Sequence, residues 1–173
     1  PLLKYNFNLP PEDIKLSDEL VNKFLFAEME SNLLVFINGK YSEEKSKLLN
    51  LTEGTVAGSI SDAIKNNPEI IEKHFGKYAS YNNQIFTALS TAYTMDGAFV
   101  YVPNGKMVEN PIHIIFITTA SENKIITQPR NLFVASENSQ VTIIEHYVSE
   151  NDSIYFTNAV TEIVAEDNAI VDQ

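Results

Sequence analysis

Three histidines are the side chains of this sequence best suited to binding a metal or transferring a proton near neutral pH: His74, His113 and His146. His74 falls in a predicted helix, where we expect it at the surface. His113 lies within an apolar run, and His146 follows Glu145 in another. Because neighbouring residues of a strand point to opposite faces, Glu145 and His146 are not expected to bind one ion.

A shared site for His113 and His146 depends on whether their two strands are neighbours. If the pair contacts iron, replacing His146 with alanine should lower the iron content of the protein. A buried or edge histidine that packs without a ligand is the simpler interpretation of each. The sequence therefore predicts no catalytic residue, no cofactor-binding residue and no metal ligand.

Cysteine is absent from the sequence, which excludes disulfides, thiol nucleophiles, thiolate metal sites and cysteine-bound clusters for this chain. Patterns typical of P-loop nucleotide binding, serine hydrolases, zinc peptidases and EF-hands are missing too. The paired carboxylates Glu12-Asp13 and Glu43-Glu44 fall in loop or helix-start contexts, where solvation explains them better than acid–base catalysis. We expect a protein that is not an enzyme.

Composition narrows the choice of partners. The chain has 173 residues, 44% of them hydrophobic, which is enough for a domain with a real core. Its formal charge of −11 argues against nucleic acid and anionic membrane surfaces as partners. No run approaches the roughly 20 apolar residues that span a bilayer. A cytoplasmic protein is therefore expected.

Residues 1–95 have the pattern of helices and a hairpin. Ser17 is positioned to cap a helix over residues 18–29. The apolar run 33–37 predicts a buried strand. The Asn38-Gly39 pair that follows predicts a type I′ turn, because both residues accept a positive φ.

Three more helices are predicted before the pattern changes. Ser59 or Ser61 caps the first, the Asn67-Pro68 pair begins the second with Gly76 after its last turn, and Asn82 caps the third. The third has an amphipathic stripe that we expect to pack in the core. The stripe consists of Ile85, Phe86, Leu89, Ala92 and Tyr93.

Beyond Asp96-Gly97 the sequence consists of short β-branched and aromatic runs. They predict strands at 98–102, 112–118, 124–127, 132–135, 141–147, 154–157 and 159–164. We therefore divide the chain into an N-terminal helical and hairpin region, 1–95, and a β region, 96–173.

A turn sequence recurs between these runs. Ala-Ser-Glu-Asn occurs twice, and two looser copies follow. The four copies begin at residues 120, 135, 148 and 164. The longest match relates residues 135–142 to residues 164–171, an offset of 29 residues. Each copy predicts a turn, because asparagine and aspartate tolerate left-handed backbone.

Two geometries fit this repeat: an antiparallel meander, or a flattened β-solenoid with two turns in each coil of about 29 residues. The run 112–118 is apolar on both faces, which favours the solenoid because its sheets are covered on both sides. A solenoid coil does not bury its own end, and the sequence stops within a repeat. We therefore expect a piece of a longer protein.

Several segments, taken in their order and spacing, resemble one known family. They are the hairpin Leu-Val-Phe-Ile-Asn-Gly-Lys-Tyr (34–41), Tyr-Val-Pro-Asn-Gly-Lys (101–106) with Glu-Asn-Pro-Ile (109–112), Pro-Arg-Asn-Leu-Phe-Val (129–134) with Glu-Asn (137–138) and Val-Thr-Ile-Ile-Glu (141–145), and Tyr-Phe-Thr-Asn-Ala-Val-Thr-Glu (155–162). They are similar to the hairpin and successive core coils of the SufB/SufD family. The absence of cysteine suits the SufD-like branch better.

The resemblance implies a mainly β fold with an α/β N-terminal region: helices and a hairpin, then a truncated right-handed parallel β-helix. It implies a scaffold subunit of an iron–sulfur cluster assembly complex, paired with a SufB-like paralogue. It also implies binding to an ABC-type ATPase, SufC, through a segment absent from this sequence. No cofactor is expected in this chain, and a cluster is expected only on the assembled complex. A homodimer is the other assembly expected.

Two other function classes fit a β-solenoid. A carbohydrate-active β-helix enzyme needs clustered aspartates, often with arginine or Ca²⁺, on one face. The β region has Asp96, Asp152, Asp167 and Asp172 in turns or termini and a single arginine, Arg130, which disfavours the enzyme. A trimeric β-helix adhesin would elute as a trimer.

Overall fold

The computed structural model describes residues 4, 6–11, 16–26, 29–82, 84–119 and 124–173. The first copy of the repeated turn, at 120–123, and the Glu12-Asp13 pair lie outside them. The helices of the described residues are α1 Asp18–Lys23, α2 Ile60–Asn66, α3 Pro68–His74 and α4 Ile85–Tyr93. The strands are β1 Asn32–Ile37, β2 Lys40–Tyr41, β3 Val56–Ser59, β4 Ala98–Val102, β5 Ile112–Thr118, β6 Ile125–Thr127, β7 Arg130–Ala135, β8 Gln140–Ser149, β9 Tyr155–Thr157, β10 Val160–Ala165 and β11 Ile170–Asp172.

Local signals place several elements correctly. The Ser17 hydroxyl accepts a hydrogen bond from the Leu20 N–H and caps α1, and the Ser59 hydroxyl accepts from the Asp62 N–H and caps α2. Asn38 and Gly39 both have a positive φ, 51° and 82°, in the two-residue turn between β1 and β2. These predictions are confirmed because each depends on neighbouring residues alone.

Two helix boundaries differ from the prediction. α1 ends at Lys23, well before residue 29, because the chain beyond it turns so that Phe24 and Leu25 pack on the five-stranded sheet. α4 begins after Gln84, so the predicted cap at Asn82 is wrong. Each of the seven strands predicted in the β region overlaps an observed strand, whereas β11 was not predicted.

Successive strands of the β region belong to three different sheets in a repeating order. Their orders are β10-β7-β4-β3, β11-β8-β5-β1-β2 and β6-β9. Pairing is antiparallel only at β1–β2 and β3–β4 and parallel between the other named strands, so the two larger sheets are mixed. The meander is therefore wrong. So is the flattened coil with two turns, because each repeat contributes three strands.

The register of the last parallel strand pairs is 30 residues, one more than the predicted repeat of 29 residues. Asn131 is paired with Thr161 and Thr127 with Thr157, 30 residues apart in each case. At the corner of the repeat, Asn138 and Asn168 have φ of 55° and 57°, and the Asn168 side-chain amide donates to Asn138 Oδ1 at 3.2 Å. Left-handed asparagine therefore recurs at this corner, whereas Asn151 of the third predicted copy has no positive φ.

The main core lies between the five-stranded and four-stranded sheets. Phe36 and Phe116 stack with ring centroids 4.8 Å apart, and Tyr147 stacks on Phe116 at 4.7 Å. On the opposite face of β5, Ile115 and Ile117 pack beneath α1. The prediction that this run is covered on both sides is confirmed.

The apolar stripe of α4 is the main error in the predicted core. Ile85, Phe86 and Tyr93 are 82%, 52% and 57% exposed, and Ser90 is the one residue of the helix that is fully buried. Periodicity identifies an apolar face but does not say that the face meets another element. α4 contacts the four-stranded sheet through Thr91, whose hydroxyl accepts from Arg130, and within the stripe Phe86 contacts Phe156 of β9 with ring centroids 6.0 Å apart.

The two predicted regions share both larger sheets. β1 is paired with β5, and β3 is paired with β4. Asp96 joins them further, since its carboxylate accepts from the Tyr41 N–H, the Ser59 hydroxyl and the Gly97 N–H. The division at residue 95 stays a prediction.

No helix of the described residues is long and apolar enough to cross a membrane.

Gly97 is required by a close approach of two backbones. A Cβ at Gly97 would lie 2.0 Å from the Arg130 carbonyl oxygen and 2.7 Å from its nitrogen. We predict that Gly97→Ala lowers the free energy of unfolding by about 3 kcal/mol, because the β4 and β7 backbones must separate. Urea unfolding followed by circular dichroism measures the change.

Gly58→Ala is the matched control, since a Cβ at Gly58 meets nothing within 4 Å. Its free energy of unfolding should stay the same or rise by up to about 1 kcal/mol. Equal midpoints for the two variants would contradict the close approach.

Candidate functional site

A buried ion pair lies between β7 and β10. Arg130 Nη2 is 3.3 Å from Glu162 Oε2, and the two side chains are 2% and 1% exposed. The strands are paired at Arg130 and Val160, which places Glu162 beside the arginine on the same face. Taking two charges out of water is costly unless they are paired and hydrogen-bonded. The surroundings must therefore supply further donors.

Those donors come from the backbone that follows α3. The N–H groups of Gly76, Tyr78 and Ala79 donate to the Glu162 carboxylate at 2.6, 2.7 and 2.8 Å. Gly76 adopts a positive φ of 73°, which a glycine accepts without strain. Burial alone would raise the pKa of Glu162, but these three donors and the Arg130 charge hold that pKa below its usual value.

The guanidinium of Arg130 reaches the helical segments. Its Nη1 donates to Thr91 Oγ1 of α4 at 2.8 Å, and its carbon lies 5.8 Å from the centroid of the Phe75 ring. The pair thus holds the 75–79 segment and α4 against the four-stranded sheet. Sequence reasoning missed this role, although Arg130 is the single arginine of the sequence.

His74 is buried, so the predicted surface position is wrong. It is 4% exposed, because the last turn of α3 faces the sheet rather than solvent. His74 Nδ1 lies 2.6 Å from the Tyr78 hydroxyl. Burial, followed by the neighbouring Lys73 charge, lowers the pKa of His74.

His113 and His146 do meet across neighbouring strands. β5 and β8 are paired at His113–Ile144 and Ile115–His146, and the imidazole centroids lie 5.8 Å apart. Phe26 stacks on both rings, at 5.0 and 5.5 Å. Burial and then the His146 charge lower the pKa of His113 to about 4, so His113 is neutral at physiological pH. The described part of the chain contains no group of three or more potential metal ligands.

Glu145 lies on the opposite face of β8, as strand alternation predicts. Its carboxylate accepts from Asn131 Nδ2 at 2.6 Å, from the Tyr147 hydroxyl at 2.8 Å and from Thr161 Oγ1 at 3.1 Å, and also from Gln173 Nε2. Burial and then the Glu145 charge raise the pKa of Tyr147, which keeps its hydroxyl protonated and able to donate. This cluster is a satisfied polar network that fixes strand positions.

Family comparisons account for nearly the whole sequence. The model described as "SufBD protein N-terminal region" matches residues 3–114, and the model described as "SUF system FeS cluster assembly, SufBD core domain" matches residues 116–173. The chain belongs to the SufBD family. The carbohydrate-enzyme and adhesin alternatives are therefore set aside.

Individual relatives agree with this family. An iron–sulfur cluster assembly SufBD family protein of Synechocystis is 32% identical over 91% of this chain and 36% of its own length. The assembly proteins SufD and SufB of Bacillus subtilis are each 29% identical, over 69% and 90% of this chain and 27% and 33% of their own lengths. The chain thus spans about a third or less of the curated relatives it matches.

The buried ion pair predicts an acid-dependent stability. The pKa of Glu162 in the folded chain lies below its usual value of 4.5. The ionised Glu162 therefore adds to the free energy of unfolding above about pH 4.5, and this addition is lost as pH falls through the folded pKa. We predict that Glu162→Gln lowers the free energy of unfolding by about 3 kcal/mol at pH 7. The variant should also lose that part of the acid dependence.

Glu166→Gln is the control for this experiment. Glu166 pairs with Lys73 at 3.0 Å, and the lysine side chain is 65% exposed. We expect a change below about 1 kcal/mol. If urea unfolding shows similar losses of unfolding free energy in the two variants, burial of the Arg130–Glu162 pair does not add to stability.

His113 predicts a second window of pH dependence. The pKa of His113 is about 4 in the folded chain and 6.5 when unperturbed. Below about pH 6.5 the unfolded chain therefore binds a proton at this ring that the folded chain does not, and the free energy of unfolding falls as pH falls from 6.5 towards 4. We predict a loss of about 3 kcal/mol across this window, removed by His113→Phe. In NMR titrations the His113 ring should stay neutral at pH 5. A midpoint near 6.5 would overturn this result.

Proposed function

We propose that this SufBD chain is a scaffold subunit of an iron–sulfur cluster assembly complex and is not itself an enzyme. The observation that carries the proposal is the pair of consecutive family matches, to the N-terminal region over residues 3–114 and to the core domain over residues 116–173. The structure is consistent with it, because the charged pair Arg130–Glu162 and the Glu145 cluster are used to hold strands together.

A right-handed parallel β-helix is the core that we infer for this protein. Parallel pairing between strands of the β region at intervals of 30 to 33 residues supports it. So does the rotation of successive strands through three sheets, since β4, β7 and β10 share one sheet and β5, β8 and β11 share another. The left-handed asparagines Asn138 and Asn168 mark the same corner of consecutive repeats.

We infer that the partners are a SufB-like paralogue and a SufC-type ATPase, with this chain in the SufD-like role. Relatives named SufB and SufD both match it, and the sequence has no cysteine with which to bind a cluster. The cluster would form on the assembled complex rather than on this chain. The same proposal includes a cytoplasmic location.

A homodimer is the alternative assembly to this pairing.

Reconstitution tests the proposal. The full natural chain should be co-expressed with a SufB-like paralogue and a SufC-type ATPase from the same organism and analysed by size-exclusion chromatography and mass photometry. We predict one complex containing all three proteins. We also predict ATP hydrolysis by the complex and none by this chain alone.

Pairwise combinations serve as controls for this experiment. Elution of this chain by itself, while the other two proteins bind each other, would contradict the scaffold role. A homodimer that persists in the presence of the paralogue would reject the paired assembly.

A further inference from the structure

α4 crosses successive coils of the β region at one of their corners. Near its C-terminal end, the Thr91 hydroxyl accepts from Arg130 of β7. Near its N-terminal end, the Phe86 carbonyl accepts from Asn158 Nδ2, just after β9, at 2.8 Å. Asn158 occupies the same corner as Gln128, one coil later, because the two side chains are hydrogen-bonded across 30 residues. The helix therefore runs along the stack of coils, and its N-terminal end lies at the outermost described coil.

This N-terminal end presents apolar side chains to solvent. Ile85 is 82% exposed and Phe86 is 52% exposed. The preceding segment, which donates to Glu162 of the outermost strand β10, adds Tyr78 and Tyr81, at 54% and 55% exposed. We call these four exposed residues the apolar rim. Large apolar side chains exposed in one region mark a surface that contacts another polypeptide segment.

The sequence around the rim carries no charge. No aspartate, glutamate, lysine or arginine occurs between Lys77 and Asp96, although the chain has a formal charge of −11. Depletion of charged residues with retention of tyrosine and phenylalanine is typical of the buried centre of an interface. A partner held by ion pairs finds no counter-charge here, so the rim fits an uncharged, apolar segment.

A further coil of the natural chain would lie in the right place to supply that segment. This chain covers 36% of the length of the Synechocystis relative and 33% of the Bacillus subtilis SufB. β9 and β10 are the outermost strands of their sheets on the side towards which the N-terminal end of α4 points. A coil stacked on them in the parallel register would therefore lie beside Ile85.

We propose that the apolar rim is the docking surface for the next coil of the same natural chain. Phe156 of β9 contacts Phe86 with ring centroids 6.0 Å apart, and parallel pairing repeats at 30 residues. The residue one repeat beyond Phe156 would therefore contact Ile85, and we expect it to be apolar. The inference rests on the β-helix proposed above, and it adds a helix that holds successive coils together along their axis.

Photo-crosslinking of the full natural chain tests this docking. With p-benzoylphenylalanine in place of Ile85, we expect a crosslinked product with the mass of one chain. Mass spectrometry should locate the crosslink within a few residues of the position one repeat beyond Phe156. A crosslink to a second copy, to another protein or to a different part of the chain would overturn the proposal, as would the absence of any crosslink.

Ile64 provides the matched control site. It is 50% exposed, and its helix α2 packs on β3, β4 and β7 rather than at the outermost coil. The same probe in place of Ile64 should give no crosslink to the next coil. Equal crosslinking from both positions would mean that the contact is not specific to the rim.

A probe in place of Ile163 separates this docking from the β-helix on which it rests. Ile163 lies on β10, is 39% exposed and is paired with Phe133 one repeat earlier. If the coils continue, this probe should reach the residue one repeat later, wherever α4 packs. Crosslinking from position 163 but not from position 85 would reject the rim alone, and failure at both positions would reject the continued β-helix as well.

Ile85→Arg tests the same contact through stability. The change places a charge in an apolar contact, so we expect a lower urea midpoint for the full natural chain, whereas Ile64→Arg should leave the midpoint unchanged. Equal midpoints for the two variants would contradict the docking. If Ile85→Arg does not fold, the crosslink from position 85 decides the question.

Discussion

The buried pair of Arg130 and Glu162 is the constraint on which the arrangement of helices and sheets depends. A carboxylate that is 1% exposed needs every lone pair satisfied, and one cation does not suffice. The Glu162 carboxylate accepts hydrogen bonds from N–H groups 83 to 86 residues earlier in the chain, so the segment after α3 has to lie against β10. The same arginine reaches α4 through Thr91.

The backbone of Arg130 is as restricted as its side chain. Its N–H donates to the Asp96 carbonyl at 3.2 Å, and its carbonyl leaves no room for a Cβ at Gly97. The Asp96 carboxylate in turn binds the hairpin through Tyr41 and the start of α2 through Ser59. The close approach of β4 and β7 therefore connects the hairpin, the helices and the sheets into one unit.

Features governed by neighbouring residues were predictable from the sequence. The Asn38-Gly39 turn, the caps at Ser17 and Ser59 and the strand runs follow from local φ preferences and side-chain type. The repeat also carried long-range information, because the turns at Asn138 and Asn168 do stack, at 30 residues rather than the predicted 29. The repeat did not predict the number of strands in each coil, because that number depends on where the chain bends between the repeated turns.

The remaining features depend on which face of an element meets another element. The stripe on α4 has the periodicity of a core helix, but its Ile85, Phe86 and Tyr93 are exposed, while His74, expected at the surface of its helix, is buried. Glu162 gives no local sign of its role, since its donors are distant in sequence. The contact of His113 with His146 required the register of β5 and β8, which apolar runs do not specify.

Native-state hydrogen exchange at Gly76, Tyr78 and Ala79 tests most directly whether the ion pair unites the helical segment with the sheets. These amides donate to the Glu162 carboxylate, so they are released only when the pair opens. We predict exchange with the same free energy of opening as the amides of β7, close to that of global unfolding. Rapid exchange of the three amides while β7 stays protected would show that the segment opens by itself, and the central role of the pair would be wrong.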